Sequence, residues 1–191
     1  TFLVSDGHNS VIVRRPPPPP ILPGAHDVLR EARFLNALEN TPVPVAKVLA
    51  TSTAGEVLDV PFYVMTYIEG PVATVVTPEP LNNPADRRLI GESLVDTLAA
   101  LHSVDWRAAG LTDLGRPEGF NARHVSRMAA LIAEPDGSAP PEFADITAWL
   151  LTNAPAESGD AIIHLDYRLG NVILAPDSPG RVAAVLDWEL A

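Results

Sequence analysis

The chain has 191 residues, 47% of them hydrophobic, and its 13 basic against 24 acidic side chains give a net charge of -11. That size fits one domain or two small lobes with a real core, and the acidity leaves no basic patch to displace counterions from a nucleic acid. The absence of cysteine excludes disulfides, thiolate metal sites and a cysteine nucleophile, and no apolar run reaches the length that spans a bilayer; a cytoplasmic protein without nucleic-acid or membrane partners is the expectation.

Taken in chain order, Thr1 to Val4 and Val11 to Arg14 flank a turn-rich segment and predict a β-hairpin. Pro16 to Pro20 offers no backbone N–H donors, so it reads as an extended, stiff connector; a ligand for an aromatic groove is the lesser alternative. Ala25 to Leu38 carries Val28, Leu35 and Leu38 at helical spacing, with Glu31 on the same stripe. A carboxylate there either reaches out to solvent or pairs with a cation such as Arg14, and spacing leaves both open. Val48 to Ala50 and Pro61 to Tyr67 read as strands, and the run through Gly70 and Pro71 ends the second.

The character then changes. Ala85 to His102 predicts a helix with Ile90, Leu94, Leu98 and Leu101 on one face; His102 at its end suits the helix dipole better than a metal. Residues 105 to 122 read as loop, Val125 to Ala133 and Pro141 to Asn153 as helices, with Trp149 and Leu150 expected in the core. Residues 1–70 thus form a sheet lobe with one helix, and 71–191 a partial helical lobe, with the boundary near Glu69 to Pro80.

The C-terminal stretch carries the chemistry. Ile162-Ile163 and Val172 to Leu174 read as strands, a turn at Asp177 to Gly180 returns the chain, and Val182 to Leu186 is a third strand. Asp166 and Asn171 lie on the loop between the first two, and Asp187 ends the third. Two carboxylates and an amide oxygen at one end of a small sheet suit a hard cation that keeps room for phosphate oxygens. An Asp, an Asn five residues on and an Asp on the next strand is the arrangement of phosphoryl transfer. His164 reads as structural, Trp188 as packing beneath the loop, and Arg168 as facing an acceptor or phosphate or pinning the loop to Glu189.

His164-x-Asp166-x-x-x-x-Asn171 followed by Asp187-Trp188-Glu189 resembles the aminoglycoside phosphotransferase-like, or kinase-like phosphotransferase, family. Val11 to Pro16, Leu22 to His26, Arg30-Glu31 and Pro61 to Gly70 extend the resemblance to the branch related to domains fused to acyl-CoA dehydrogenases. It implies an α+β, protein-kinase-like bilobal fold with a catalytic β-hairpin. It also implies ATP-dependent transfer of the γ-phosphoryl group to a hydroxyl of a small molecule, with ATP and Mg²⁺ as cofactors. By this resemblance Asp166 is the catalytic base, Asn171 and Asp187 hold Mg²⁺, and Glu31 pairs with Arg14, which stands where many kinases carry Lys. Met65 and Tyr67 belong to the hinge, Met65 to Glu69, whose backbone meets adenine.

Two departures stand inside the motif region: Leu165 replaces the usual Gly, and the one Lys, Lys47, lies elsewhere. The phosphate-covering loop is expected before Thr1 and further helices after Ala191, so the expectation is a chain truncated at both ends. Three rival functions follow: the transferase, a nucleotide-binding module without catalysis, and an interaction segment built on the proline run. A metal-dependent phosphohydrolase lacks its carboxylate-nucleophile or His-rich motif.

Overall fold

Short apolar runs rich in β-branched side chains build the predicted hairpin. Phe2–Ser5 (β1) pairs antiparallel with Ser10–Arg14 (β2), from Phe2 opposite Val13 to Ser5 opposite Ser10. Asp6 closes its tip by accepting from the backbone N–H of His8 at 2.9 Å and of Asn9 at 2.7 Å, the self-bonding that makes Asp a turn residue. In this computed structural model the described residues are 1–20, 26–79, 81–132, 139–178 and 180–191.

Val48–Ser52 (β3) and Phe62–Thr66 (β4) complete an antiparallel sheet of order β1-β2-β4-β3. Its register sets Arg14 opposite Tyr63, and Met65 between Ile12 and Val48. Pro16 to Pro20 belongs to no helix or strand, as its missing donors require. The following helix, Val28–Leu38 (α1), starts later than the expected Ala25, which lies with residues 21–24 outside the described residues. Asp27 sets the start: its side chain accepts from the N–H of Arg30 at 3.0 Å. The predicted stripe faces inward, and Val28, Ala32, Leu35 and Leu38 are buried together with Glu31. α1 packs on β3, β4 and the final turn, Trp188–Leu190.

Pro84–His102 (α2) agrees with the predicted helix; Asn83 caps it by accepting from Asp86 N–H at 3.0 Å. Ile90 and Leu101 are buried, and Leu94 and Leu98 are half-buried. Val172–Leu174 (β5) and Val182–Val185 (β6) form the second hairpin, with Pro179 of its connecting turn outside the described residues. α2 supports this hairpin and the loop before it: Ser93 Oγ accepts from Val182 N–H at 3.0 Å, and the Leu94 carbonyl from the Tyr167 hydroxyl at 2.8 Å.

Ile162-Ile163 is not the expected strand. β5 and β6 pair with each other, and further donors are taken by loops: Leu174 N–H bonds the Pro71 carbonyl at 2.9 Å, and Val185 N–H that of Pro44 at 2.8 Å. The apolar run buries Ile162 without joining the ladder.

Residues 1–111 and 161–191 form one compact unit and 112–160 a second; the boundary expected near Glu69 to Pro80 falls inside the first, with Pro80 itself outside the described residues. The second unit pairs Phe120–Ile132 (α3) with Pro141–Asn153 (α4). α3 starts five residues before the predicted Val125, so residues 120–122 are not loop; the predicted end, Ala133, lies outside the described residues. Phe120 N–H bonds the Pro117 carbonyl at 3.0 Å and Arg123 N–H that of Gly119 at 3.1 Å, and the Arg123 guanidinium caps the carbonyls of Arg116 and Glu118. α4 has the predicted bounds, but Trp149 and Leu150 are exposed rather than core. α3 covers only part of the apolar surface of α4 within this unit. Among the described residues no helix is long and apolar enough to cross a membrane.

Gly70 fixes the exit from β4. Its φ is +154°, and a Cβ there would lie 2.0 Å from the Leu174 carbonyl oxygen, a backbone atom with nowhere to go. Gly70→Ala is expected to lower stability by about 2–4 kcal/mol, read as a lower urea midpoint with an unchanged slope; a midpoint equal to wild type contradicts this packing.

Candidate functional site

Two polar groups meet where β2, α1 and the second hairpin converge. The first is built on Arg14, the last residue of β2. Its Nε donates to Glu31 Oε2 at 3.0 Å, its Nη2 to Asp187 Oδ1 at 2.8 Å, and Glu189 Oε2 lies 3.6 Å away. Glu31 is only 3% exposed, and its second oxygen accepts from Trp188 N–H at 3.3 Å. The pairing alternative for Glu31 therefore holds, and solvent-reaching does not. Trp188 is fully buried, against Phe34 and His164, and donates its indole N–H to the Val185 carbonyl at 3.1 Å. It packs beneath the loop as expected.

The second group is the loop after Ile163. Asn171 donates from Nδ2 to Asp166 Oδ2 at 2.7 Å and to the Asp166 carbonyl at 2.9 Å. Its amide nitrogen is thus committed to the loop, and its amide oxygen is the atom left for a ligand. Arg168 donates from Nε to both Asp166 oxygens at 3.2 Å; Glu189, one of the alternatives left open for it, lies 2.6 Å from His26 Nδ1. His164 is buried, with Nε2 2.8 Å from the Leu186 carbonyl and Nδ1 accepting from Asp166 N–H at 3.3 Å. It has the structural role expected of it.

Leu186 joins the groups. Its N–H donates to the Asn171 carbonyl at 2.8 Å, its carbonyl meets His164, and Asp187 follows it in the chain. Asp166, Asn171 and Asp187 are therefore held around one backbone segment. Met65 lies within β4, and Tyr67 follows that strand, exposed; among the described residues no hydrogen bond or ion pair joins either side chain to these groups. Arg14 lines a cleft of about 380 Å³ together with Pro16, His26, Asp187 and Glu189. Sequence reasoning gave His26 no role. Glu189 called for a partner, but nothing in the sequence singled out His26 as that partner.

Backbone strain collects at the same place. Among the described residues, the non-glycine residues with positive φ are His26 (+56°), Leu165 (+65°) and Asp187 (+63°). Each costs on the order of 1–2 kcal/mol. Leu165, standing where the resembling family has Gly, adopts the left-handed conformation regardless and presents Asp166 on the next residue.

Electrostatics follow from this geometry. Burial pushes the Glu31 carboxyl above its usual range, and Arg14 offsets part of that. Burial opposes the charge on Arg14, but Glu31 and Asp187 outweigh it and hold the guanidinium above its usual value. Arg168 and then Asn171 keep the Asp166 carboxyl below the ordinary carboxylate range. Burial lowers His164, which favours the neutral ring. Burial, then Glu31, raises the Tyr63 hydroxyl, so it stays protonated.

Among the described residues no group of three or more His, Cys, Asp or Glu side chains could hold a metal ion. The oxygen donors expected from the sequence are Asn171 and Asp187, the latter bound by Arg14 at 2.8 Å. That pair still fits Mg²⁺, which is commonly held by one or two carboxylates while water and phosphate oxygens fill its remaining positions.

The profile of the phosphotransferase enzyme family matches residues 1–191. The chain is 33% identical over 192 residues to acyl-CoA dehydrogenase family member 11 of Rattus norvegicus, an alignment that covers 100% of this chain and 24% of that protein. The chain thus spans about a quarter of the length of that relative. A solved structure from Ralstonia eutropha, described as a candidate aminoglycoside phosphotransferase, superposes with a TM-score of 0.80 at 33% identity, covering 99% of this chain and 55% of that one. The ADP-bound aminoglycoside phosphotransferase APH(2'')-Ib superposes with a TM-score of 0.62 at 19% identity, over 98% of this chain and 64% of that one, and shows a shared fold. The architecture is accordingly the kinase-like α+β fold, with its small antiparallel sheet and helices.

Glu31 gives a pH test. A carboxyl raised on folding contributes stability below its unfolded value, about pH 4, and loses it as pH rises through the raised folded value. Wild type is expected to lose stability relative to Glu31→Gln as pH climbs from about 4 toward neutrality. Denaturant curves at each pH measure this, and parallel pH profiles contradict it.

Proposed function

The chain belongs to the phosphotransferase enzyme family, and on that premise we propose that it moves the γ-phosphoryl group of ATP to a hydroxyl of a small molecule. The observation that supports this most is the Asn171 side-chain amide nitrogen donating to Asp166 at 2.7 Å while the Asn171 backbone carbonyl accepts from the N–H of Leu186, the residue before Asp187. On this reading two bonded segments supply a base, an amide oxygen and a second carboxylate in the order the reaction uses them.

Asp166, ionised and partly exposed, accepts the hydroxyl proton and aims the oxygen. Asn171 and Asp187 would hold Mg²⁺, which supplies charge neutralisation on the phosphates. Arg14, fixed by buried Glu31, presents a planar guanidinium to phosphate oxygens at the rim of the cleft. The backbone from Met65 to Glu69, leaving β4, takes the adenine. Catalysis on this reading is positioning and electrostatics, with little covalent work for the protein. The relative bound to ADP supports nucleotide use. Hydroxy-acyl thioesters, sugars and aminoglycosides all supply a suitable hydroxyl. A cysteine-free chain suits cytoplasmic work.

A nucleotide-binding module without catalysis is the second reading. It draws on the strained Leu165 and on Arg14 holding Asp187, the expected metal ligand, at 2.8 Å.

Asp166→Ala is expected to lower transfer of labelled γ-phosphate to an alcohol panel by at least about 10²-fold, while ATP and Mg²⁺ still raise the melting temperature. Turnover equal to wild type refutes the role given to Asp166. ATP-dependent stabilisation of a wild-type protein that transfers no phosphate supports the module instead.

A further inference from the structure

We propose that Arg168 is a positioning residue that clamps the Asp166 carboxylate onto the Asn171 amide, and that Gly170 exists to let its guanidinium lie there. The inference rests on the reading of Asp166 as the group that aims the acceptor hydroxyl. Asp166 is held from two sides. Asn171 Nδ2 donates to Oδ2 at 2.7 Å, and Arg168 Nε donates to both oxygens at 3.2 Å. Asn171 alone holds one oxygen and leaves the carboxylate free to turn about Cβ–Cγ. The Arg168 contact to Oδ1 stops that rotation.

Arg168 is extended, with φ -155° and ψ 164°, and the tight turn Leu169–Asn171 follows, closed by Asn171 N–H on the Arg168 carbonyl at 2.9 Å. The side chain therefore doubles back over the turn and crosses Gly170. A Cβ on Gly170 would sit 2.3 Å from Arg168 Nη1 and 3.2 Å from Cζ. The atoms in the way are the end of a flexible side chain, not backbone. A methyl at 170 displaces the guanidinium and leaves the fold alone. The pair is largely exposed, with side chains 58% and 43% accessible, so its contribution to stability is small and its value lies in direction.

This yields a test in which Arg168 stays present. Two readouts are taken on the full chain carrying Gly170→Ala, Arg168→Gln or Arg168→Lys. The first is the ¹H–¹⁵N signal of Arg168 Nε–H and of the Asn171 side-chain amide, without nucleotide. Wild type is expected to show a protected Nε–H. Gly170→Ala is expected to lose that protection and to shift the Asn171 amide, as Arg168→Gln does. The second readout is Mg·ATP turnover with water as acceptor. Gly170→Ala and Arg168→Gln are expected to lower kcat roughly tenfold or more with KM for ATP unchanged, and Arg168→Lys to recover part of it. Unfolding midpoints stay at wild type. An unprotected Nε–H in wild type, protection retained in Gly170→Ala, or kcat and KM moving together overturns the clamp. A wild type that turns over no ATP counts against the phosphotransferase reading, and the nitrogen signals still decide the clamp.

Discussion

A carboxylate taken out of water must find positive partners or lose its charge, and Glu31 finds both kinds a protein can offer. One oxygen holds the Arg14 guanidinium and the other holds the Trp188 N–H. The first contact ties α1 to the end of β2. The second ties α1 to the turn after β6, one residue beyond Asp187. Arg14 closes the loop by binding Asp187 directly. Three segments distant in sequence are thus fixed by one side chain that the helix stripe carries inside with its leucines. Position along α1 dictates the burial, and burial dictates the pairing.

The second hairpin is a platform whose parts lack independent means of support. A pair of short strands is marginal alone. Here loop carbonyls from Pro44 and Pro71 take backbone donors of β5 and β6, α2 binds through Ser93 and Leu94, and Trp188 fills the space beneath. That over-determination lets His26, Leu165 and Asp187 hold left-handed backbones that a loose loop would relax. The strained residues are one that lines the cleft beside Arg14, the neighbour of Asp166, and Asp187 itself, so the strain falls on or beside the residues proposed to act.

Much of this was legible in the chain. Periodicity located the strands of the sheet and the four helices, because each has a face that must be buried. The spacing from Asp166 to Asn171 and on to Asp187 pointed to these three residues lying near one another, and the pairing of β5 with β6 brings Asn171 and Leu186 together at one end of the hairpin. What could not be read depends on partners distant in sequence. Ile162-Ile163 has strand composition but, among the described residues, pairs with no strand. Trp149 and Leu150 have core composition, yet their helix meets too little apolar surface within its unit. Arg168 could point several ways, and the turn at Leu169–Asn171 sends it to Asp166 and not to Glu189. His26 carried no periodic signal at all; only the coordinates bring it to Glu189.

The account stands on Asn171 and Asp187 acting as one cation-binding pair beside the phosphates. Crystals grown with Mn²⁺ and a non-hydrolysable ATP analogue test it most directly through the anomalous signal of the metal. The account predicts a peak in bonding range of the Asn171 amide oxygen and an Asp187 carboxylate oxygen, with analogue phosphate oxygens completing the shell. An analogue bound with its metal elsewhere, and with Asp187 still held by Arg14, contradicts it.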